Sequence, residues 1–148
     1  MNNFQIRFCT ADDYALVFEL LKQLWTDVQL NYETLQTVYE NALKSDRQKL
    51  IIGLIDNKII GFCSLTVKNS LWQSGNLGHI DELVVDENFR KYGIGKKLMD
   101  AITKIAKENN CKQTELSSAF HRKEAHQFYE NLGYEKRAYL FSKVLDDI

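Results

Sequence analysis

The sequence predicts one α/β domain, a mixed sheet sandwiched with helices, on three observations. Segments with a hydrophobic period of two alternate with segments of period 3.6 in the order β-α-α-β-β-β-α-β-α-β, a pattern that buries its apolar faces by packing helices on one sheet. The 148 residues are 45% hydrophobic and 11% aromatic, ample for a single globular core. There is no proline, and the seven glycines at 53, 61, 75, 78, 93, 95 and 133 are scattered, so no linker, repeat or low-complexity tract divides residues 1–148.

The elements follow in order. Phe4, Ile6 and Phe8 alternate with polar residues as a strand. Thr10 caps a helix whose apolar positions Tyr14, Val17, Phe18, Leu21, Leu24 and Trp25 recur at helical spacing, and Leu35, Val38, Tyr39, Ala42 and Leu43 mark a second helix. The β-rich runs Lys49–Ile55 and Ile59–Val67 meet at Asp56-Asn57-Lys58 as a hairpin, with Asn57 expected at positive φ. A polar loop over 70–76 contains Trp72 and leads to a strand over Gly78–Val85. A long helix then carries Ile94, Leu98, Ala101, Ile102, Ile105 and Ala106 on one face and stops in the Lys/Glu/Asn-rich run 107–110. Gln113–Ser118 is the next strand. A short helix over Lys123–Leu132 closes on Gly133, and Tyr134–Val144 is expected to hold the last strands.

Charge and composition exclude several functions. The 19 Lys and Arg balance 20 Asp and Glu to a net charge of −1, without the basic field that holds nucleic-acid phosphates, so no nucleic-acid partner is expected. The longest apolar run, Leu50–Ile55, is far short of the roughly 20 residues that cross a bilayer. The start Met1-Asn2-Asn3-Phe4 lacks the basic and apolar regions of a signal peptide, so no membrane partner and a cytoplasmic location are the expectations. Cys9, Cys63 and Cys111 are odd in number and form no C-x-x-C pair, and all three are read as small core residues.

The segment that carries chemistry is Arg90-Lys91-Tyr92-Gly93-Ile94-Gly95-Lys96-Lys97, which follows a strand and opens a helix. Its glycines let the backbone approach a ligand, and N–H groups at a helix start attract an anion, so a phosphate is the expected ligand. A Walker A loop would need glycine where Arg90 stands and Ser or Thr where Lys97 stands. A dinucleotide fingerprint would need a third glycine in place of Leu98. Both readings fall.

Arg90, Gly93 and Gly95 instead form Arg/Gln-x-x-Gly-x-Gly, which resembles the pyrophosphate loop of the GNAT superfamily of N-acetyltransferases. Ile80-Asp81-Glu82-Leu83-Val84-Val85 is similar to that family's fourth strand, and Ala125-His126-Gln127-Phe128-Tyr129-Glu130-Asn131-Leu132-Gly133-Tyr134 to its late motif. Within the family, Glu115-Leu116-Ser117-Ser118, His121-Arg122 and Ala125–Tyr129 are most similar to aminoalkylphosphonate N-acetyltransferases, with aminoglycoside and polyamine acetyltransferases left open as branches. The chain departs from the pattern twice. Glu87 stands about where the family has a proline after the fourth strand, which touches loop rigidity. Arg122 replaces an asparagine seven residues before the tyrosine, removing an amide contact to the pantetheine arm and placing a cation near acceptor or cofactor.

The resemblance implies a GNAT fold, a mostly antiparallel mixed sheet splayed at its fourth strand with helices on both faces. It also implies acetyl-CoA as cosubstrate, direct transfer to a small primary amine in a ternary complex, and a homodimer through the C-terminal strands. A bulge in Ile80–Val85 would free a backbone N–H near Leu83 or Val84 for the thioester oxygen, a donor worth about 3–4 kcal/mol. The residues assigned to the cosubstrate are Leu83, Val84, Val85, Arg90, Lys91, Tyr92, Gly93, Ile94, Gly95, Lys96 and Arg122.

Tyr129 takes the family's general-acid position, where a phenol of pKa about 10 can protonate a thiolate whose conjugate acid lies near 8.5. For the base, Glu82 is preferred to His79 on the same strand. His121 and His126, five apart, miss the four-residue spacing of a helical metal site, so no metal is assigned. Asp12, Asp13, Glu19, Asp27, Glu33 and Glu40 are read as ordinary surface charges. A non-catalytic acyl-CoA-binding module and a protein or peptide acetyltransferase are the alternative readings. Tyr129 together with a carboxylate on the fourth strand argues against the first.

Overall fold

A computed structural model describes residues 3–146 and joins five strands into one sheet in the order β1-β2-β3-β4-β5. They are β1 Phe4–Phe8, β2 Gln48–Ile55, β3 Lys58–Ser70, β4 Gly75–Val85 and β5 Cys111–Glu115. Strands β1 to β4 pair antiparallel and β5 lies parallel to β4, which makes the sheet mixed. The helices are α1 Tyr14–Leu24, α2 Tyr32–Lys44, α3 Ile94–Glu108 and α4 Lys123–Asn131. The chain forms two compact units, the first ending at Thr114 and the second beginning at Glu115.

Both faces of the sheet in the first unit are covered. Leu50, Ile52, Phe62 and Val84 share one core with Tyr14, Val17, Phe18 and Leu21 of α1 and Tyr39 and Ala42 of α2. On the other face the glycines at 53 and 61 admit α3 closely: a Cβ at Gly61 would lie 2.8 Å from Leu98 Cδ1. The α3 residues Ile94, Leu98, Ile102 and Ala106, spaced four apart, are buried in a line along that face. Each such aliphatic side chain contributes about 1.5–3 kcal/mol by leaving water.

Turn chemistry sets the connections. Asp56 and Asn57 both take positive φ, 49° and 67°, giving the two-residue turn whose twist matches a hairpin, so Asp56 shares the conformation expected of Asn57 alone. Asn31 caps α2, its side chain accepting the Thr34 N–H at 2.9 Å. Thr10 caps a 3-10 turn, Ala11–Asp13, and α1 starts only at Tyr14.

Several expectations need correction. β3 runs on to Ser70 and β4 starts at Gly75, so strand pairing takes up part of the loop expected over 70–76, and β5 ends at Glu115 rather than Ser118. β5 begins at Cys111, two residues early, because Asn110 at φ 61° reverses the chain directly after α3 and Cys111 packs over Gly78. Residues 134–146 carry neither helix nor strand, since alternating apolar residues form a strand only where a neighbour completes the backbone hydrogen bonds. Cys9 and Cys63 are buried but Cys111 is half-buried, so the core reading holds for the first two.

Asp13 is no surface charge. It is 6% exposed, accepts Arg7 Nη1 and Nη2 at 2.8 and 3.0 Å, and takes the Thr10 N–H at 2.7 Å, tying the end of β1 to the start of α1. The Arg7 hydrogen bonds outweigh burial and hold the carboxyl below its ordinary range. A folded-state pKa lowered in this way stabilises the fold above the unfolded value of about 3.9, and that stabilisation is lost as pH falls through the lower folded value. Asp13→Asn should therefore cost about 2 kcal/mol at neutral pH, a figure that allows for the exposed Arg7 head group. In urea unfolding the gap from wild type should narrow below about pH 4; a gap independent of pH would show that the charge is not what stabilises this corner.

Candidate active site

β3 and β4 pair from Ser70 opposite Gly75 to Gly61 opposite Val85, with one break. Leu65 faces Ile80 and Ser64 faces Glu82, so β4 carries one extra residue, Asp81, as a β-bulge. Its consequence is one of parity. His79 and Glu82 are three residues apart, and in an unbroken strand they would point to opposite faces. Here His79 lies opposite Thr66 and Glu82 opposite Ser64, and Thr66 and Ser64, two apart, share a face. The bulge thus places His79 and Glu82 together on the α1 and α2 side of the sheet, the side that carries Phe62 and Val84. Asp81 joins them, its Oδ2 accepting the Thr66 hydroxyl at 2.6 Å and its Oδ1 lying 3.9 Å from His79 Nε2.

Glu82 is half-buried, and its Oε1 accepts a hydrogen bond from the Ser64 hydroxyl. Burial pushes its carboxyl above the ordinary carboxylate range against the opposing pull of Ser64, with Asp81 adding to the rise and His79 opposing it. Ser64 and Thr66, which hold the two carboxylates, escaped the sequence reading. Their signal is two hydroxyls at same-face spacing in the apolar run Ile59–Val67.

The ladder also decides where backbone donors point. The Asp86 N–H donates to the Ile60 carbonyl at 2.8 Å, and bonded pairs alternate along an antiparallel ladder, so Val84 turns its N–H and carbonyl toward Phe62 on β3. Leu83 and Val85, one residue to either side, turn theirs to the opposite edge. Arg90 Nε donates to the Val85 carbonyl at 2.9 Å on that edge. The five residues of β5 accompany only the first part of the eleven in β4, with Lys112 over Gly75 and Cys111 and Thr114 over Gly78. Val84 gives its side chain to the core, and Leu83 directs its N–H away from β3.

The chain leaves β4 through the 3-10 turn Glu87–Phe89, where Asp86 Oδ1 accepts the Asn88 N–H at 2.9 Å. The Glu87 N–H, a group proline would lack, donates to Gln23 Oε1 of α1 at 2.9 Å. Lys91 and Gly93 then take left-handed φ values of 71° and 79°, and a Cβ at Gly93 would meet nothing within 4 Å. No side chain caps α3, whose first helical bond runs from the Lys97 N–H to the Gly93 carbonyl at 3.2 Å. The N–H groups of Ile94, Gly95 and Lys96 therefore precede the internal ladder and carry the positive end of the helix dipole. Ile94 is buried and offers only its backbone; Tyr92 is exposed, and Lys96 pairs with Asp100 at 2.9 Å. A cleft of about 480 Å³, lined by Glu19, Lys22, Gln23, Thr26, Glu87 and Arg90, lies between α1 and this loop. The loop fits an anionic phosphate group: open space at Gly93, an uncapped helix start and flanking basic residues.

In the second unit, α4 ends on Gly133 at φ 96°. The Gly133 N–H reaches the Glu130 carbonyl and the Tyr134 N–H the Tyr129 carbonyl, each at 3.0 Å, the paired bonds of a Schellman motif. Its hydrophobic contact is Tyr134 against Tyr129, ring centroids 5.9 Å apart, and Phe128 flanks Tyr129 at 5.2 Å. Tyr129 is thus half-buried in an aromatic group that fixes its ring. Arg122 stands half-buried at the start of α4. His126 Nε2 binds the Ala119 carbonyl at 2.8 Å, a structural tie, while His121 is exposed.

The model of the Acetyltransferase (GNAT) family matches residues 14–134. This chain belongs to that family. The acetyltransferase is 30% identical over 145 residues to the aminoalkylphosphonate N-acetyltransferase of Salmonella typhimurium, covering 95% of this chain and 91% of that one. It is 28% identical over 149 residues to the glucosamine 6-phosphate N-acetyltransferase of Arabidopsis thaliana, covering 97% of each. An aminoglycoside N-acetyltransferase crystallised with CoA shares the fold at a TM-score of 0.86 and 18% identity, over 97% of this chain and 95% of that one. The protein is an acetyltransferase enzyme, and its cosubstrate is acetyl-CoA.

The two left-handed residues of the loop give opposite expectations. Gly93→Ala should lower the stability of the acetyltransferase by about 1 kcal/mol through backbone strain alone, because the new methyl group has room. Lys91→Gly should raise it by a similar amount, about 1 kcal/mol. Thermal unfolding of both variants checks the pair; equal signs would contradict the strained loop.

Proposed function

We propose that this single-domain acetyltransferase moves the acetyl group of acetyl-CoA to the primary amine of a small molecule by direct attack in a ternary complex. The observation that carries the reading is the bulge at Asp81. It sets a carboxyl with raised proton affinity at Glu82 beside a backbone N–H at Leu83 directed off the sheet. A base and an oxyanion donor on adjacent residues suit attack by an amine on a thioester. Glu82 takes the proton of the incoming ammonium, and a carboxyl shifted upward does so closer to neutral pH than an ordinary one. His79, 3.9 Å from Asp81, is the second candidate for that proton. The Leu83 N–H meets the thioester oxygen as charge develops on it. Tyr129 protonates the departing thiolate.

The cosubstrate pyrophosphate is assigned to the loop. Gly93, Ile94, Gly95 and Lys96 supply backbone N–H groups, while Arg90, Lys91 and Tyr92 flank it. Leu83 and Val85 offer backbone along the β4 edge, whereas Val84, expected to join them, is bonded to β3 and buried in the core; Arg122 supplies a cation at the start of α4. Two relatives are named for amines that bear an acidic phosphorus group, an aminoalkylphosphonate and glucosamine 6-phosphate. Amines of that class head the acceptor candidates, and Lys22 in the 480 Å³ cleft is a cation that suits them. No helix among the described residues is long and apolar enough to cross a membrane, and the reading places the enzyme in the cytoplasm. It includes a homodimer, because Phe141 and Val144 stand 91% and 84% exposed on the segment after α4.

Free-thiol release from acetyl-CoA across aminoalkylphosphonates, amino-sugar phosphates, aminoglycosides, polyamines and peptides tests the activity. Saturable release with a small amine is the expected result; release with peptides alone would replace this reading with the protein acetyltransferase. Tyr129→Phe should lower kcat about 100-fold with acetyl-CoA affinity unchanged, and unaltered turnover would remove Tyr129 as the acid. Light scattering should give twice the 17.3 kDa chain mass, and a monomer would rule out the dimer.

A further inference from the structure

One hydroxyl holds Glu82 at both ends. Ser64 Oγ donates to Glu82 Oε1 and accepts the Glu82 N–H at 3.0 Å. By the alternation of the ladder that N–H points toward β3, where a regular strand would offer it a carbonyl; at the bulge the serine side chain takes that place. Ser64 is 4% exposed, flanked on β3 by the buried Phe62, Cys63 and Leu65. A hydroxyl in such surroundings is costly unless its hydrogen bonds are made, and here Glu82 makes them.

We propose that Ser64 is a positioning residue for acetyl transfer, its hydroxyl locking the main chain and carboxyl of Glu82 together at the bulge so that the carboxyl stays on the α1 and α2 side of the sheet. The proposal rests on the reading of Glu82 as the base. The same hydrogen bond favours the ionised carboxylate and so opposes burial. The groups around that carboxyl are Asp81 and His79 on β4 and, beside Ser64 on β3, Cys63, whose own thiol is pushed up by burial and then by Glu82. The charged residues of α1, Glu19 and Lys22, pair with each other at 2.7 Å. On β5, Lys112 reaches the Ser74 carbonyl at 3.4 Å, and Glu115 ends the strand.

Two measurements on the full chain test it. Site-resolved carbon NMR titration of the Glu82 carboxyl needs no acceptor. Ser64→Ala should move its midpoint up by about one pH unit, and Ser64→Thr, which keeps a hydroxyl, should return it to the wild-type value. With any amine that the acetyltransferase accepts, the rising limb of kcat/KM against pH should move by the same amount, while acetyl-CoA affinity stays constant. An unmoved midpoint in Ser64→Ala overturns the proposal, and an equal shift in Ser64→Thr assigns the effect to packing. Glu82→Gln separates the two layers: wild-type kcat/KM in that variant refutes Glu82 as the base, whereas a shifted titration in Ser64→Ala still establishes the hold on its carboxyl.

Discussion

A strand with side-chain period two can show a base to one face and a core residue to the other, but it cannot bring residues three apart to the same face. The single extra residue at Asp81 relaxes that constraint. On the near side of the break, Ile80 opposes Leu65 and both are buried; on the far side, Val84 opposes Phe62 in the core under α1. Across the break, His79, Asp81 and Glu82 are drawn to one face, with Thr66 and Ser64 as hydroxyl partners for the two carboxylates. The bulge is affordable because both flanking pairs are deep in apolar packing, where a one-residue slip would expose a whole face of the strand. It also leaves the Glu82 N–H to a side chain, so register, hydroxyl and carboxyl form one unit.

Downstream of the bulge the structure turns from side-chain to main-chain chemistry. Val84 is committed to the ladder and the core, and the next groups along the edge, the Leu83 N–H and the Val85 carbonyl, face away from β3. Arg90 ties back to that carbonyl, so the loop that follows is anchored to the strand that precedes it. The Glu87 N–H and Gln23 fasten the loop to α1, a contact that a proline at position 87 could not make. Left-handed backbone at Lys91 and Gly93 brings the uncapped start of α3 into the open, where its partial positive charge is available to an anion.

The second unit uses a different device for a comparable end. A Schellman motif closes α4 on Gly133, and the residues that it joins by hydrogen bond, Tyr129 and Tyr134, are the same two whose rings pack. A helix terminator therefore also restrains the phenol assigned as the acid. The glycine is needed for its positive φ rather than for space, since a Cβ there would touch nothing within 4 Å.

Hydrophobic periodicity was sufficient for α1 to α4 and for β1 to β4, because burial of a stripe or an alternating face is a local property of the sequence. The loop of Arg90, Gly93 and Gly95 was legible for a related reason: glycine and helix-start chemistry is written in consecutive residues. The strand expected over 134–144 failed because a strand is defined by its partner, and the start of β5 moved because a positive φ at Asn110 is a choice between neighbouring conformations. Asp13 reads as one of several helix-start acids until Arg7 and Thr10 are seen to converge on it. By itself, then, the sequence determined the family, the order of elements as far as α4 and the glycine-marked start of α3. Only the tertiary structure decided that Ser64 serves Glu82, that His79 and Glu82 share a face, and that Leu83 rather than Val84 directs its N–H off the sheet. All three depend on the cross-strand register of β3 and β4, which from Thr66↔His79 to Phe62↔Val84 joins residues 13 to 22 apart in the chain and is recorded in neither segment alone.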